Sequence, residues 1–257
     1  MALNFVQHNF NQAADTYLDH ALLQKHCAQK LLTSIAAYHR SGWLLDLGSG
    51  PGTLQHQKSA LHQATVCYDI SLPMLVKAKQ QGANVTVNGD AKRLPFAAQS
   101  VQTVISNLML QWPDDKAAIF AEIDRVLVPE GHVIFTTFLA PSLWQLQTAW
   151  ASIDNASHTL TFLALMDYQA LCQNAGLTVL HLEQWQHDRR FTDMNALFRH
   201  FKATGTALPK AAHRQGLGGK KALETLALAY PGAMTESDLI LSYYPLLVIA
   251  KKSRLYD

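Results

Sequence analysis

The stretch Trp43-Leu44-Leu45-Asp46-Leu47-Gly48-Ser49-Gly50-Pro51-Gly52 decides how the chain is read. A short apolar run ends in an aspartate and then in glycines, the pattern of a buried strand closing in a tight turn. Glycine lets backbone approach a ligand closely, because no Cβ stands in the way. Pro51 takes one amide out of the loop, and no lysine follows it, which excludes a phosphate-cradling P-loop. Asp69 lies 21 residues beyond Gly48, at the end of the next strand-like run, 64–69. An acid at that offset accepts hydrogen bonds from ribose hydroxyls.

Working outward, residues 11–40 carry apolar side chains at helical spacing, without Gly or Pro. Downstream, the patterns predict a helix over 53–61, a Ser-capped and Gly-terminated helix over 71–82, and strands over 84–90 and 101–107. An amphipathic helix over 114–127 and a strand over 132–138 follow. Strand–helix alternation of this kind gives a mainly parallel sheet with helices on both faces. Beyond 140 the pattern predicts helices over 142–150 and 167–176 and a strand over 177–186. A block with two helices near 193–204 and 219–229 precedes a last long strand, 238–252, expected to form a terminal antiparallel hairpin.

Composition bounds the function. The chain has 257 residues, 49% apolar, enough to bury a full core and to exclude a disordered or fibrous protein. Cys27, Cys67 and Cys172 form no CxxC pair, so neither a disulfide framework nor a zinc site is expected, and the twelve histidines include no HExxH pair. The N-terminus lacks the pattern of a signal peptide, and no apolar run approaches ~18 residues, so the expectation is a cytoplasmic protein without a membrane span.

Further signals follow in order: Gly89-Asp90-Ala91, Leu94-Pro95-Phe96, Ser106-Asn107-Leu108, Gln111-Trp112 and Arg125-Val126-Leu127-Val128-Pro129-Glu130-Gly131. Over residues 40–140 this set resembles class I S-adenosylmethionine-dependent methyltransferases. The resemblance implies a Rossmann-like α/β fold: a mainly parallel seven-stranded sheet with a C-terminal antiparallel strand. It implies S-adenosyl-L-methionine as cofactor, with S-adenosyl-L-homocysteine as product. Asp46, Gly48 and Gly50 would contact the methionine end, and Asp69 the ribose. Met74 would pack on the adenine, and Asp90 and Ala91 would read its edge. Asn107 would sit beside the sulfonium. Met74 fits equally as plain core, and Asn107 as a strand cap. Two positions depart from the pattern: Ser49 stands where cysteine is common, and Glu130 where glycine is common.

Three more segments narrow the resemblance. They are Phe10–Tyr17 with Gln24, Ser106–Trp112, and Phe135–Phe138 continuing through Trp144, Trp150, Asp154, His158 and Phe162. Together they are similar to malonyl-[acyl-carrier protein] O-methyltransferases, which begin the pimeloyl moiety of biotin. The likeness implies a single domain over 1–257, an N-terminal helical cap over 1–40 and a helical lid over 188–235. It implies methylation of a free carboxylate, a reaction without a general base, and no Ser/His/Asp or Cys/His set is visible. An acceptor site would draw on Arg199, His158, Tyr17 and Gln111. The alternatives stay open: Tyr17 closing over the cofactor, His158 as a cap, Arg199 as a solvated lid residue. Other readings are a quinone-ring C-methylase, which needs a base, and an RNA-associated binding protein.

Net charge is +2, yet 187–221 holds eight cations against two anions, leaving the rest of the chain near −4. The expected partner of this basic lid is an acidic acyl-carrier protein rather than a nucleic acid, docking on a monomer.

Overall fold

The computed structural model describes residues 3–38, 41–56, 65–154, 156, 158–206, 219–231 and 239–253. Helices α1 (Leu3–Ala13), α2 (Tyr17–His20) and α3 (Leu22–Tyr38) precede strand β1 (Leu44–Leu47). Then come α4 (Thr53–His56), β2 (Thr65–Asp69), α5 (Leu72–Gln80), β3 (Val85–Asn88), β4 (Val101–Asn107), α6 (Lys116–Val126) and β5 (Leu127–Phe138). The second half holds α7 (Trp144–Ala151), α8 (Leu165–Asn174), β6 (Leu177–Gln184), β7 (His187–Phe191), α9 (Met194–Ala203), α10 (Gly219–Ala229), β8 (Leu239–Tyr243) and β9 (Pro245–Lys252).

Seven strands form one sheet in the order β3-β2-β1-β4-β5-β9-β6. The first five are parallel, and β9 runs antiparallel to both β5 and β6. All four residues of β1 are buried, because helices cover both faces. Leu45, Val104, Val133 and Phe135 meet Ile119, Phe120 and Ile123 of α6 on one side. Leu44, Ile105, Ile134 and Ile249 meet Ala28, Leu31 and Ile35 of α3 on the other. Ser71 caps α5 by accepting from the Met74 amide, and Asp115 caps α6 by accepting from Ala118. Arg125 donates to the carbonyls of Leu94 and Phe96, which ties the loop after β3 to α6. Glu130 sits at φ +65°, which explains a glycine preference there, and its carboxylate pairs with Lys251 at 2.9 Å.

Three sequence expectations are corrected. The N-terminal helix is three helices, interrupted after Ala13 and at Ala21. The last strand is two, because Pro245 begins a new one: β9 enters the main sheet, while β8 turns away and pairs with β7 in a separate two-stranded sheet. The segment read as the start of a helical lid is therefore strand β7. Its residues gain their ladder from a strand some fifty positions later, which no local pattern announces. Residues 57–61 of the expected helix over 53–61, and the lid residues 207–218 and 232–235, lie outside the described residues.

Candidate functional site

Two hollows open beyond the carboxyl ends of the parallel strands, where an open α/β sheet places its ligands. The first is lined by Leu47 and Gly48 at the end of β1, Asp69 and Ile70 at the end of β2, and Gly89, Asp90 and Ala91 after β3. Met109, Trp112 and Lys92 complete its walls, with Val6 and Phe10 of α1 above.

Local geometry explains the glycine loop. Gly48 has φ +72° and Gly50 φ +54°. A Cβ on Gly48 would fall 2.3 Å from Cγ of Met109, so this position admits only glycine without rearrangement. The Gly50 amide donates to Oδ2 of Asp69 at 2.9 Å, and the Ser71 amide donates to Oδ1 at 2.8 Å. Asp69 thus joins the loop to the cap of α5, and each oxygen keeps capacity for a second donor. Burial raises its carboxyl above the usual range, against the pull of these amides.

Asp46 is 1% exposed. Burial pushes its carboxyl up to about 7, against a hydrogen bond from Gln55 and with a smaller push from Asp69. Gln55 Nε2 donates to Oδ2 of Asp46 at 3.3 Å. Oδ1 of Asp46, Oε1 of Gln55 and Oε1 of Gln24 are buried without a hydrogen-bond partner.

The second hollow meets the first at Trp112. Leu23, Phe138, Leu143, Leu160, Phe162 and Phe201 make it apolar, and Gln24, Gln111, Arg189, His200, Thr206 and Tyr243 add polar groups. Gln111 is fixed by donating to the Leu108 carbonyl at 2.6 Å. His200 is buried, and its imidazole pKa is lowered to about 3, first by burial and then by the Arg189 and His20 charges.

The structure brings Gly48, Asp69, Asp90 and Ala91 to the first hollow and Gln111 to the second. Asp46, Gly50 and Asn107 stand next to them at the ends of β1 and β4. Asn107 donates to the Gln24 carbonyl at 3.0 Å and accepts from Thr136 at 2.8 Å. Met74 is instead buried core with Ala13, Ala14, Phe10 and Tyr17, since its face of α5 packs under α1. Tyr17 lies near Asp69 and Cys27, and burial raises its hydroxyl pKa. His158 lines a different hollow, bonded to Asp154 at 2.8 Å and stacked on Trp150 at 3.8 Å. Arg199 is exposed, because Met194, Leu197 and Phe201 occupy the inward face of α9. The spacing of those three residues already signals that outward direction. Sequence reading missed Val6, Ile70, Met109, Arg189, His200 and Tyr243 as lining residues.

Residues 45–135 match the family described as a methyltransferase domain. A malonyl-[acyl-carrier protein] O-methyltransferase of Yersinia pestis is 31% identical over 236 residues, covering 91% of this chain and 86% of that protein. Another, of Alcanivorax borkumensis, is 30% identical, covering 96% and 86%. The chain belongs to the malonyl-[acyl-carrier protein] O-methyltransferase family.

A biotin biosynthesis bifunctional protein of Cellvibrio japonicus is 32% identical over 93% of this chain, which spans 48% of that protein. Among solved structures, the YcgJ protein of Bacillus subtilis superposes with a TM-score of 0.64 at 16% identity, covering 88% of this chain and 99% of that one. The geranyl diphosphate C-methyltransferase of Streptomyces coelicolor gives 0.52 at 12%, covering 87% and 78%. These two show the fold. Together with the family match they make the chain a class I methyltransferase that uses S-adenosylmethionine.

The site's donor set fits that cofactor. The unpartnered oxygens of Asp46, Gln55 and Gln24 are all acceptors, suited to the ammonium of an amino-acid end. Asp69 keeps lone pairs for hydroxyls, and the apolar walls of the first hollow suit a flat base.

Proposed function

We propose that the chain methylates the free carboxylate of a malonyl thioester borne on an acyl-carrier protein, a step in biotin synthesis. The observation that carries this reading is the chemistry of the second hollow. Among the described residues no aspartate or glutamate lines it, and the imidazole that does, His200, has its pKa lowered to about 3 and is a poor base. A carbon-methylating enzyme needs a base to remove a proton. A carboxylate, with an ordinary pKa near ~4, is already ionised and needs only to be held in place.

Bound S-adenosylmethionine supplies a methyl group on a sulfonium, which a carboxylate can accept without giving up a proton. Asp46, Gly48, Gly50, Asp69, Asp90, Ala91 and Asn107 hold the cofactor in this reading. Gln111 orients the acceptor, and Tyr17 closes over the cofactor near Asp69 rather than touching the acceptor. The apolar lining excludes water around the reacting carboxylate. The exposed Arg190, Arg199 and Lys202 offer a basic face to the acidic carrier. Lys210 and Arg214 lie outside the described residues. A cytoplasmic setting belongs to the same reading; among the described residues no helix is long and apolar enough to cross a membrane. A monomer of one domain belongs to the same reading.

Radiolabelled S-adenosylmethionine tests the reading. Label should pass to malonyl-carrier protein and hardly at all to the acetyl form, which lacks the second carboxylate. Equal labelling of the two would overturn it.

A further inference from the structure

We propose that Arg189 is the receptor for the acceptor's carboxylate and the residue that selects a charged over a neutral acyl chain. The inference rests on the carboxyl-methylating reading above and adds the residue that enforces it.

Register makes the case. In the β7–β8 pair, Arg189 stands opposite Leu241 and Phe191 opposite Leu239. Side chains alternate along a strand, so Arg189, Phe191, Leu239, Leu241 and Tyr243 share one face. Phe191, Leu239, Leu241 and Tyr243 on that face are buried and His187 beside them is half-buried, whereas on the opposite face Asp188, Arg190 and Ile240 are exposed and Ser242 is buried. Arg189 therefore occupies a position that the fold treats as core, and it is half-buried there.

Burying a guanidinium is unfavourable unless an anion or good acceptors meet it. Arg189 has little of either. Its hydrogen bond is to the His20 carbonyl at a long 3.5 Å, and its guanidinium stands 5.3 Å from the centre of the Phe191 ring. No carboxylate lies within ion-pair distance of it among the described residues. Its uncompensated charge shows in its surroundings, where it helps hold the His200 imidazole neutral. A planar fork of N–H donors, engaged only by that one long hydrogen bond among the described residues and lining a largely apolar hollow, is the complement of a carboxylate.

The arrangement also handles product. Methylation turns the bound anion into a neutral ester, so the charge that held the substrate no longer holds the product. An acetyl chain offers Arg189 no anion at any stage.

Arg189→Met separates this role from a structural one. Methionine suits an apolar register position, so the variant should fold with a thermal midpoint equal to or above the wild type. Its affinity for S-adenosyl-L-homocysteine, by calorimetry, should be unchanged. The KM for malonyl-carrier protein should rise at least about tenfold, as expected when a charge-assisted hydrogen bond is lost. Arg189→Lys should recover part of that loss, since one point charge replaces a fork. An unchanged KM in Arg189→Met overturns the assignment. So does a lowered midpoint accompanied by weaker cofactor binding, because that marks a structural residue. If the wild type itself transfers no methyl group to malonyl-carrier protein, the functional reading fails instead, and the two failures are distinguishable.

Discussion

At the residue scale, Asp46 couples the site to pH. Its carboxyl is raised from an ordinary 3.8 to about 7 by burial. Between those values the folded protein holds a proton that the unfolded chain has released. Stability without cofactor therefore falls as pH rises through that window and levels off above it, by at most about 1.4 kcal/mol per pH unit. A ligand ammonium at Oδ1 favours the ionised form. The thermal stabilisation conferred by S-adenosyl-L-homocysteine should therefore be larger at pH 8 than at pH 6, and Asp46→Asn should abolish that difference. An equal stabilisation at both pH values in the wild type would remove Asp46 from the ammonium site.

At the element scale, α1 is the piece that encloses the first hollow. Gln7 donates to the Ile70 carbonyl at 2.8 Å, and Asn11 accepts from Ser71 at 2.6 Å. Phe10 meets Trp112 edge to face at 5.3 Å. On its other side α1 rests on Gly205, at φ +65°, where a Cβ would come within 2.8 Å of the Phe10 ring and 3.2 Å of the Asn9 carbonyl. One helix thus touches both the first hollow and the turn after α9. Gly205→Ala should cost about 1–2 kcal/mol in backbone strain and should weaken S-adenosyl-L-homocysteine binding severalfold by displacing Phe10. Calorimetry and a melting curve report both effects. Lowered stability with intact cofactor affinity would mean that α1 does not transmit the strain.

At the scale of the whole molecule, charge is unevenly spread. The block 187–221 carries an excess of six positive charges on a chain of net +2. Raising salt from about 0.05 M to about 0.5 M shortens the reach of exposed charges to a few ångströms. The KM for malonyl-carrier protein should then rise, while that for a small malonyl thioester stays within about twofold. Parallel salt dependence for both acceptors would place the carrier elsewhere. Arg189 belongs to that block by sequence but lines the second hollow.

How much of this was legible follows from the range of the interactions. The loop Gly48-Ser49-Gly50, Asp69 and Gly89-Asp90-Ala91 could be read directly, because strand, turn and acid succeed one another locally and the backbone alone sets their geometry. The mainly parallel sheet followed from the same alternation. Arg199 was the leading candidate for the carboxylate, with His158 and Tyr17 in support, because a guanidinium can bind a carboxylate in bidentate fashion. HDRRF has no β-branched residue and no alternation strong enough to mark a strand. Only its pairing with Leu239–Tyr243 makes it one, and only the register opposite Leu241 turns Arg189 inward. Met74 went the same way: its helix was evident, but what covered it depended on where α1 came to rest. The sequence by itself determined the fold and the glycine loop after β1, whose signals lie within a few dozen residues. The tertiary structure decided which cation lines the second hollow, because that depends on a strand pair closed across some fifty residues.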